Sequence, residues 1–288
     1  MQKRLFTSWH TPLTIAGRPT TAGSAELADL GRALSGALFV SLPLLFTEEM
    51  WLIARSIDDE VLATFIVVTM AINRLLLEYS GYRSGRWQTS LWWDVIVAMG
   101  VGAFASTITL YVAGIISTDL DWYLSIKTIA LEMIPTSLGA SIAINQLGAG
   151  DRAQDGISAS EDVNVLIGTL LGGYVFTFNV APTAETELIV FGQSWWHIAL
   201  TAILSVLVSY MVVAVANLDD NNAARRRVLT SAWFEAIASY LVAFAVSLML
   251  LWLFGYADPT LPIDQWLPQT VVLGYATTLG GAAGRLIL

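Results

Sequence analysis

The sequence predicts an all-α membrane protein of about eight transmembrane helices, built as two parallel four-helix repeats. Three observations lead to this fold class: the composition, a recurrence of long apolar stretches, and short motifs that return in the second half of the chain. Hydrophobic residues make up 56% of the 288 and charged residues only 13%, with a mean hydropathy of +0.65. Since about a quarter of the residues in a soluble domain are charged, the chain is predicted to lie in a membrane.

Eight stretches reach the roughly 20 mostly apolar residues that a transmembrane helix requires. They cover approximately residues 33–54, 60–78, 92–117, 123–148, 163–190, 195–216, 230–255 and 266–287. These limits divide the chain into an N-terminal surface segment (1–30), a first four-helix repeat (31–148), a linker (149–162) and a second four-helix repeat (163–288).

Basic residues are distributed unequally between the two sides that these spans define. Of the 14 Lys and Arg residues, only Arg55 and Lys127 fall on the side opposite the termini. Cytoplasmic loops of membrane proteins carry the excess of Lys and Arg. Both termini and the linker are therefore expected in the cytoplasm. The opposite face is acidic and contains Asp58, Asp119 and Asp258.

Short motifs recur in the same order in both halves. TSLWWD (89–94) matches TSAWFE (230–235), and TSLGASIA (136–143) matches TTLGGAAG (277–284), with the same offset along the chain. PLLFTE (43–48) matches PTAETE (182–187) at nearly that offset. Because each half contains an even number of spans, both halves enter the membrane in the same direction, which predicts a pseudo-two-fold axis along the membrane normal.

The first span of each half carries a proline, a threonine and an acid in the same order. These are Pro43, Thr47 and Glu48 in the first half, and Pro182, Thr186 and Glu187 in the second. A proline within a span kinks it and leaves a backbone carbonyl free. We expect Glu48 and Glu187, with Glu49 and Glu185 beside them, to form a paired cation-binding site near the outer face. The alternative is that these four carboxylates are simply hydrated at the interface.

Glu132 lies about ten residues into the fourth span, three residues before Pro135, and the eighth span has no acid in the matching region. This asymmetry favours a single role, as a carboxylate that binds or relays a cation or proton near the middle of the membrane. The alternatives are an internal pair with Lys127 or a hydrogen bond to Thr or Asn. The three prolines Pro43, Pro135 and Pro182 are candidate hinges.

Two further acids, Asp94 and Glu235, are secondary candidates, and Asn179 is a candidate for binding an ion. Asp94 and Glu235 occupy the first turns of the third and seventh spans, where the helix dipole favours carboxylates whether or not they have a function. Asn179, just before the second proline, offers a carbonyl oxygen to a bound ion or to another helix.

Signatures of an enzyme are not found in the sequence. Cysteine is absent, the two histidines are far apart, and there is no Walker A, G-x-S-x-G, H-E-x-x-H or G-x-G-x-x-G motif. We therefore predict no catalysis and no cofactor. The basic residues are explained by topology, so nucleic acid is not an expected partner.

The arrangement GALFVSLPLLFTEEMW followed by NVAPTAETELI resembles a family of uncharacterised bacterial multi-span integral membrane proteins, from residue 33 to the end of the chain. The resemblance implies the bacterial inner membrane and assigns no functional residues.

These observations predict a cation transport protein, either proton-coupled or of a sodium or calcium type, with a path between the two halves. Its partners would be the lipid bilayer and an inorganic cation or proton. One alternative is a passive channel, formed by a homo-oligomer. Another is a membrane sensor or assembly factor whose acids are structural.

Overall fold

The chain folds almost entirely into α-helices in the computed structural model. The structure describes residues 22–79, 90–117, 121–147, 161–219, 229, 231–258, 260 and 262–287. These residues form ten helices and no strand. Most of the N-terminal segment (1–30) and of the linker (149–162) lies outside the described residues.

The helices follow the same order of lengths in the two halves of the chain. In the first half they are α1 (Ala22–Leu45), α2 (Glu48–Ser56), α3 (Asp59–Tyr79), α4 (Leu91–Val112) and α5 (Trp122–Leu147). In the second half they are α6 (Glu161–Phe178), α7 (Glu185–Val190), α8 (Trp195–Asp219), α9 (Ala232–Leu253) and α10 (Ile263–Ile287). Each half thus has one long helix, one short helix and three long helices.

The final helix of each half is the centre of its packing. Helix α5 packs against α1, α3 and α4, and α10 packs against α6, α8 and α9. The short helices α2 and α7 also rest on α5 and α10, respectively. The two halves meet chiefly where α3 packs against α6 and α9, and where α5 packs against α6.

Close crossings between the first and last long helix of each half depend on glycine. A Cβ added to Gly36 on α1 would lie 2.6 Å from the carbonyl oxygen of Gly139 on α5. A Cβ added to Gly172 on α6 would lie 2.5 Å from the Cα of Gly284 on α10. Both distances are too short for any side chain, so the backbones touch as small-x-x-x-small motifs in membrane helices allow.

The first span is broken near its C-terminal end instead of being a kinked, continuous helix. Helix α1 ends at Leu45, and α2 turns away from it by 83°. The Thr47 hydroxyl donates to the carbonyl of Pro43, one of the terminal carbonyls that no helical N–H can reach. The same residue, with an extended backbone, is the N-cap of α2. Thr47 therefore closes one helix and starts the next.

The predicted span 163–190 is broken as well. Helix α6 ends at Phe178, and residues 179–184 form turns before α7 begins at Glu185. The prediction of one continuous helix over each of the ranges 33–54 and 163–190 is therefore wrong. Pro43 lies in the last turn of α1, and Pro182 lies between two helices. Pro135, by contrast, is well inside a helix, α5.

Four helices, α3, α4, α8 and α9, are long and apolar enough to cross a membrane. The bent pair of α1 and α2 makes a fifth if it counts as one broken span, and α6 falls among the shorter apolar helices over its described residues 162–178. The all-helical membrane fold is confirmed. Length and composition identify four or five of the eight predicted spans.

Candidate functional site

The acids of the repeated motif in the first half, Glu48 and Glu49, occupy the first turn of α2. Carboxylates are favoured at this end of a helix by the unpaired N–H groups and the dipole. The side chain of Glu48 is exposed and that of Glu49 is half-buried, whereas Met50 behind them is fully buried. The helix break therefore places two carboxylates at or near the surface, while Met50 and Ala54 of α2 pack inward.

The break between α6 and α7 carries buried oxygen atoms without partners. Asn179 donates its amide N–H to the Val175 carbonyl, but its Oδ1 has no hydrogen-bond partner among the described residues. In the same part of the structure, the Oγ1 of Thr186 is also buried and lacks a partner. Oxygen atoms left free at a broken helix are groups with which transporters coordinate cations. Both residues therefore remain candidates for binding an ion.

Acids from both halves of the chain affect the pKa of one tyrosine, Tyr256. Tyr256 follows the C-terminal end of α9, and its hydroxyl donates to the Pro182 carbonyl at 2.8 Å. Partial burial and the nearby charges of Glu49, Glu187 and Glu185 raise the pKa of Tyr256. The break after α1 and the break after α6 therefore lie at the same end of the molecule, near Tyr256.

The predicted pair of acids, Glu48 and Glu187, lies at the two helix breaks. Both side chains are exposed. Between the halves, the rings of Phe65, Phe178 and Phe254 lie 4.9 to 5.4 Å apart, centre to centre, and are buried. The contact between the halves is therefore formed by aromatic rings, and the two acids lie at the surface.

Glu132 is the most deeply placed of the predicted acids. It is 1% exposed on α5, and neither carboxyl oxygen has a hydrogen-bond partner among the described residues. Burial without a partner disfavours the ionised form, because a buried charge loses its hydration and gains nothing in return. The uncharged, protonated acid is the form that these surroundings accommodate.

Lys127 does not neutralise Glu132. Its ammonium group donates to the Ile57 carbonyl and pairs with Asp59 at 3.2 Å. Both partners line an open cavity of about 650 Å³, together with Arg55, Asp58 and Glu60. The alternative of an internal pair between Glu132 and Lys127 is therefore excluded.

Hydroxyl and amide groups that the sequence reasoning missed surround the next turns of α5. Thr136 donates to the Glu132 carbonyl at 2.7 Å and lies 3.1 Å from the Ser106 hydroxyl of α4. Asn73 of α3 donates to Ser137 at 2.9 Å and accepts from Ser141 at 2.7 Å. An amide in the middle of an apolar run was the available signal for Asn73, since membrane helices use such groups to bond to each other.

The secondary acids lie where the sequence placed them. Asp94 is half-buried in the first turn of α4, and Glu235 is buried in the first turn of α9. Both interact with neighbouring groups. Among the described residues, no three acidic or histidine side chains are grouped closely enough to hold a metal ion.

Comparison with known proteins identifies the family. Residues 29–288 match the family described as "Putative integral membrane protein (DUF2391)". No curated protein and no solved structure matches the chain. Because the match covers most of the sequence, the chain belongs to this family of integral membrane proteins, as the resemblance of its motifs predicted.

Proposed function

We propose that this protein transports a cation across the membrane and that Glu132 is the carboxylate on which transport depends. The observation that carries the proposal is the burial of Glu132 without any partner for its oxygens among the described residues. Such a group costs several kcal/mol when ionised, whereas a leucine would pack there without penalty. Leucine does occupy the corresponding position of the second half, Leu273, which is also buried. A group this costly is expected where it has a function.

The architecture proposed for this role is eight spanning helices in two parallel four-helix units. Corresponding pairs of helices pack together in both halves. The hydrogen bond between Ser106 and Thr136 has its counterpart in the second half, between Ser247 and Thr277 at 2.6 Å. Both members of the second pair are displaced along the chain by the offset of the repeated motifs. These matches support a duplicated unit.

The ends of α4 and α9 support the duplication independently. Gly114 and Gly255, which are related by the same offset, have φ angles of 74° and 82°, which glycine adopts most readily. Each follows the C-terminus of its helix. A repeated hydrogen-bond pair and a repeated helix cap at one offset are what a duplicated unit predicts.

In this proposal the acids of α2 and α7 attract cations to the outer face. Charged groups at the mouth of a path raise the local concentration of counter-ions. The unpartnered oxygens of Asn179 and Thr186 offer a first binding position beside Glu185 and Glu187. The distribution of basic residues supports placing both termini in the cytoplasm. The family resemblance supports the inner membrane of a bacterium. The proposed role is transport and involves no catalysed reaction.

Flux into proteoliposomes tests the proposal directly. The purified chain is reconstituted, and uptake of Na⁺, K⁺, Ca²⁺ and H⁺ is followed with and without a pH gradient. Flux of one cation above that of empty liposomes is the expected result. Dependence on the pH gradient distinguishes coupled transport from a passive channel. If none of the four ions moves, the protein is not a transporter of them, and the role of a sensor or assembly factor takes its place.

A further inference from the structure

We propose that the transported species is a proton and that it crosses within the first half of the chain, along α5, and not between the two halves. This inference rests on the proposed function. It assigns the path to the space between α5 and its neighbours α1, α3 and α4. The crossing itself would then lie in the first half, and the second half would contribute only the groups of its helix break at the outer face.

Buried polar side chains recur along two adjacent faces of α5, toward α4 and toward α3. This set, called here the polar seam, consists of Thr128, Glu132, Thr136, Ser137 and Ser141, all 4% exposed or less. At 3.6 residues per turn they cover about 220° of the helix circumference. Thr128, Glu132 and Thr136 lie on one face, from which Thr136 contacts α4, and Ser137 and Ser141 lie on the adjacent face, which contacts α3. The seam extends roughly 20 Å along the axis at 1.5 Å per residue, a large part of the thickness of the hydrocarbon core.

Neighbouring helices complete the seam with groups that can donate and accept hydrogen bonds. On α4, Ser106 lies 3.1 Å from Thr136, and the Gly102 carbonyl accepts from Thr136 at 3.1 Å. On α3, Asn73 bonds to two serines of the seam. Groups of this kind can bond to a passing water or proton carrier when the helices separate slightly. Glu132 is the one acid of the seam, and it is therefore the member that can take up and release a proton.

The corresponding row in the second half is interrupted. With the offset of the repeated motifs, Glu132 corresponds to Leu273 and Ser141 to Ala282, both of which are buried. The middle of the row remains polar, with Thr277 and Thr278. The polar face of α10 is therefore broken by an apolar residue on both sides of Thr277, and the asymmetry singles out α5.

The boundary between the halves is packed with aromatic rings. The buried Tyr174 is a fourth ring beside Phe65, Phe178 and Phe254. Its ring centre lies 5.9 Å from that of Phe178. Its hydroxyl bonds to Thr69 across the boundary at 3.2 Å. A path here would need several large side chains to move, whereas the seam already has polar groups on successive turns.

The chemistry of the seam favours a proton over a metal ion. Ca²⁺ requires about six to eight oxygen ligands, with carboxylates prominent among them. The seam contains one carboxylate, and neither of its oxygens has a hydroxyl or amide of the described residues within hydrogen-bond distance. A proton needs only that one carboxylate.

Two substitutions at corresponding positions test the location of the path. Thr136→Val and Thr277→Val remove the same hydroxyl from the same local arrangement, one in each half. In proteoliposomes we expect Thr136→Val to lower proton flux by up to about tenfold, the factor that one hydrogen bond supplies, and Thr277→Val to leave it at the wild-type rate. Ser141→Ala installs the residue that the second half has naturally and should also lower flux.

Folding is controlled by requiring each variant to elute from size exclusion as the wild type does. Equal losses for Thr136→Val and Thr277→Val, or wild-type flux for both Thr136→Val and Ser141→Ala, would overturn the location of the path. Flux of Ca²⁺ or Na⁺ without protons would overturn the assignment of the proton. A wild-type protein that moves no ion would instead refute the proposed function itself.

Discussion

At the scale of single residues, the two features that matter most are an unpaired carboxylate and a tyrosine surrounded by acids. Glu132 is buried with no partner among the described residues, although its counterpart in the second half is a leucine. Tyr256 has Ile115 as its counterpart and ties the C-terminal end of α9 to the proline carbonyl at a break. Both residues depart from the symmetry of the two halves.

Replacing Glu132 by leucine should stabilise the protein while removing its function. Leu273 shows that the corresponding site holds a leucine, and removing a buried, unsatisfied polar group returns about 1–3 kcal/mol. Glu132→Gln should gain less, because its amide is also left without partners. Thermal melting in detergent measures the order of the three proteins. A lower melting temperature for Glu132→Leu would mean that the carboxyl group has a stabilising partner after all.

The pKa of Tyr256 should respond to the acids of both helix breaks. Burial first, and then the charges of Glu49, Glu187 and Glu185, raise it, so the neutral hydroxyl persists to higher pH than in a free tyrosine. Glu49→Gln should shift the pKa down, toward the usual value of about 10. The titration is read as the absorbance difference between each protein and its Tyr256→Phe derivative. Glu60→Gln is the control, because the charge of Glu60 is not among those that raise the pKa of Tyr256. Equal shifts of this pKa for both variants would contradict the placement of Glu49 near Tyr256.

The sequence pointed to individual candidate residues but not to the surroundings that each of them has in the structure. The acid of the fourth span was identifiable because the eighth span lacks one. The sequence could not show that Glu132 has no hydrogen-bond partner among the described residues. Whether Lys127, a Thr or an Asn reaches it depends on which face of α5 each neighbouring helix contacts. Lys127 instead reaches the Ile57 carbonyl and Asp59, which lie far earlier in the chain. Contacts between such distant positions are set by packing, which a single sequence does not contain.

At the scale of helices, the main difference from the predicted structure is that two spans are broken. The Pro-x-x-x-Thr-Glu pattern indicated a kink, and in α1 the threonine hydroxyl caps the helix instead. The chain then turns by 83°. The acids consequently lie in the first turns of the two short helices that follow the breaks, α2 and α7. Glycines of the repeated segments TSLGASIA and TTLGGAAG lie at backbone contacts of α5 with α1 and of α10 with α6.

The glycine crossings give a prediction about stability. Gly172→Ala should cost about 1–3 kcal/mol, because its methyl group would overlap Gly284 and push α6 away from α10. Gly100→Ala on α4 is the matched control, since no atom lies within 4 Å of the added Cβ. It should leave the protein unchanged or more stable by up to about 1 kcal/mol. Unfolding in increasing denaturing detergent compares the two; similar losses would mean that α6 and α10 do not touch there.

At the scale of the whole molecule, the chain is an integral membrane protein with two halves of similar helix order. Fold class and family were predictable because composition and long apolar runs constrain them strongly. The exact number of spans was less predictable. Helix α5 carries polar residues on successive turns, which lower its mean hydropathy, and the same residues make it a candidate for function.

The proposed topology predicts which loops are accessible from each side. Cysteine introduced at Asp58 or Asp258 of this cysteine-free chain should react with a membrane-impermeant reagent added from the periplasmic side. Cysteine introduced at Arg152 in the linker should react only after the membrane is opened. The opposite pattern would invert the orientation and place both termini outside.

The dependence of transport on pH in Glu132→Gln tests the central claim most directly. Wild-type protein and Glu132→Gln are reconstituted at equal density, and proton flux is measured across a range of pH. Glutamine keeps the shape of the side chain but cannot carry a proton, so we expect a folded protein in which proton-coupled flux is lost at every pH. Flux at the wild-type rate with an unchanged pH profile would show that the carboxyl group is structural and would contradict its proposed role in transport.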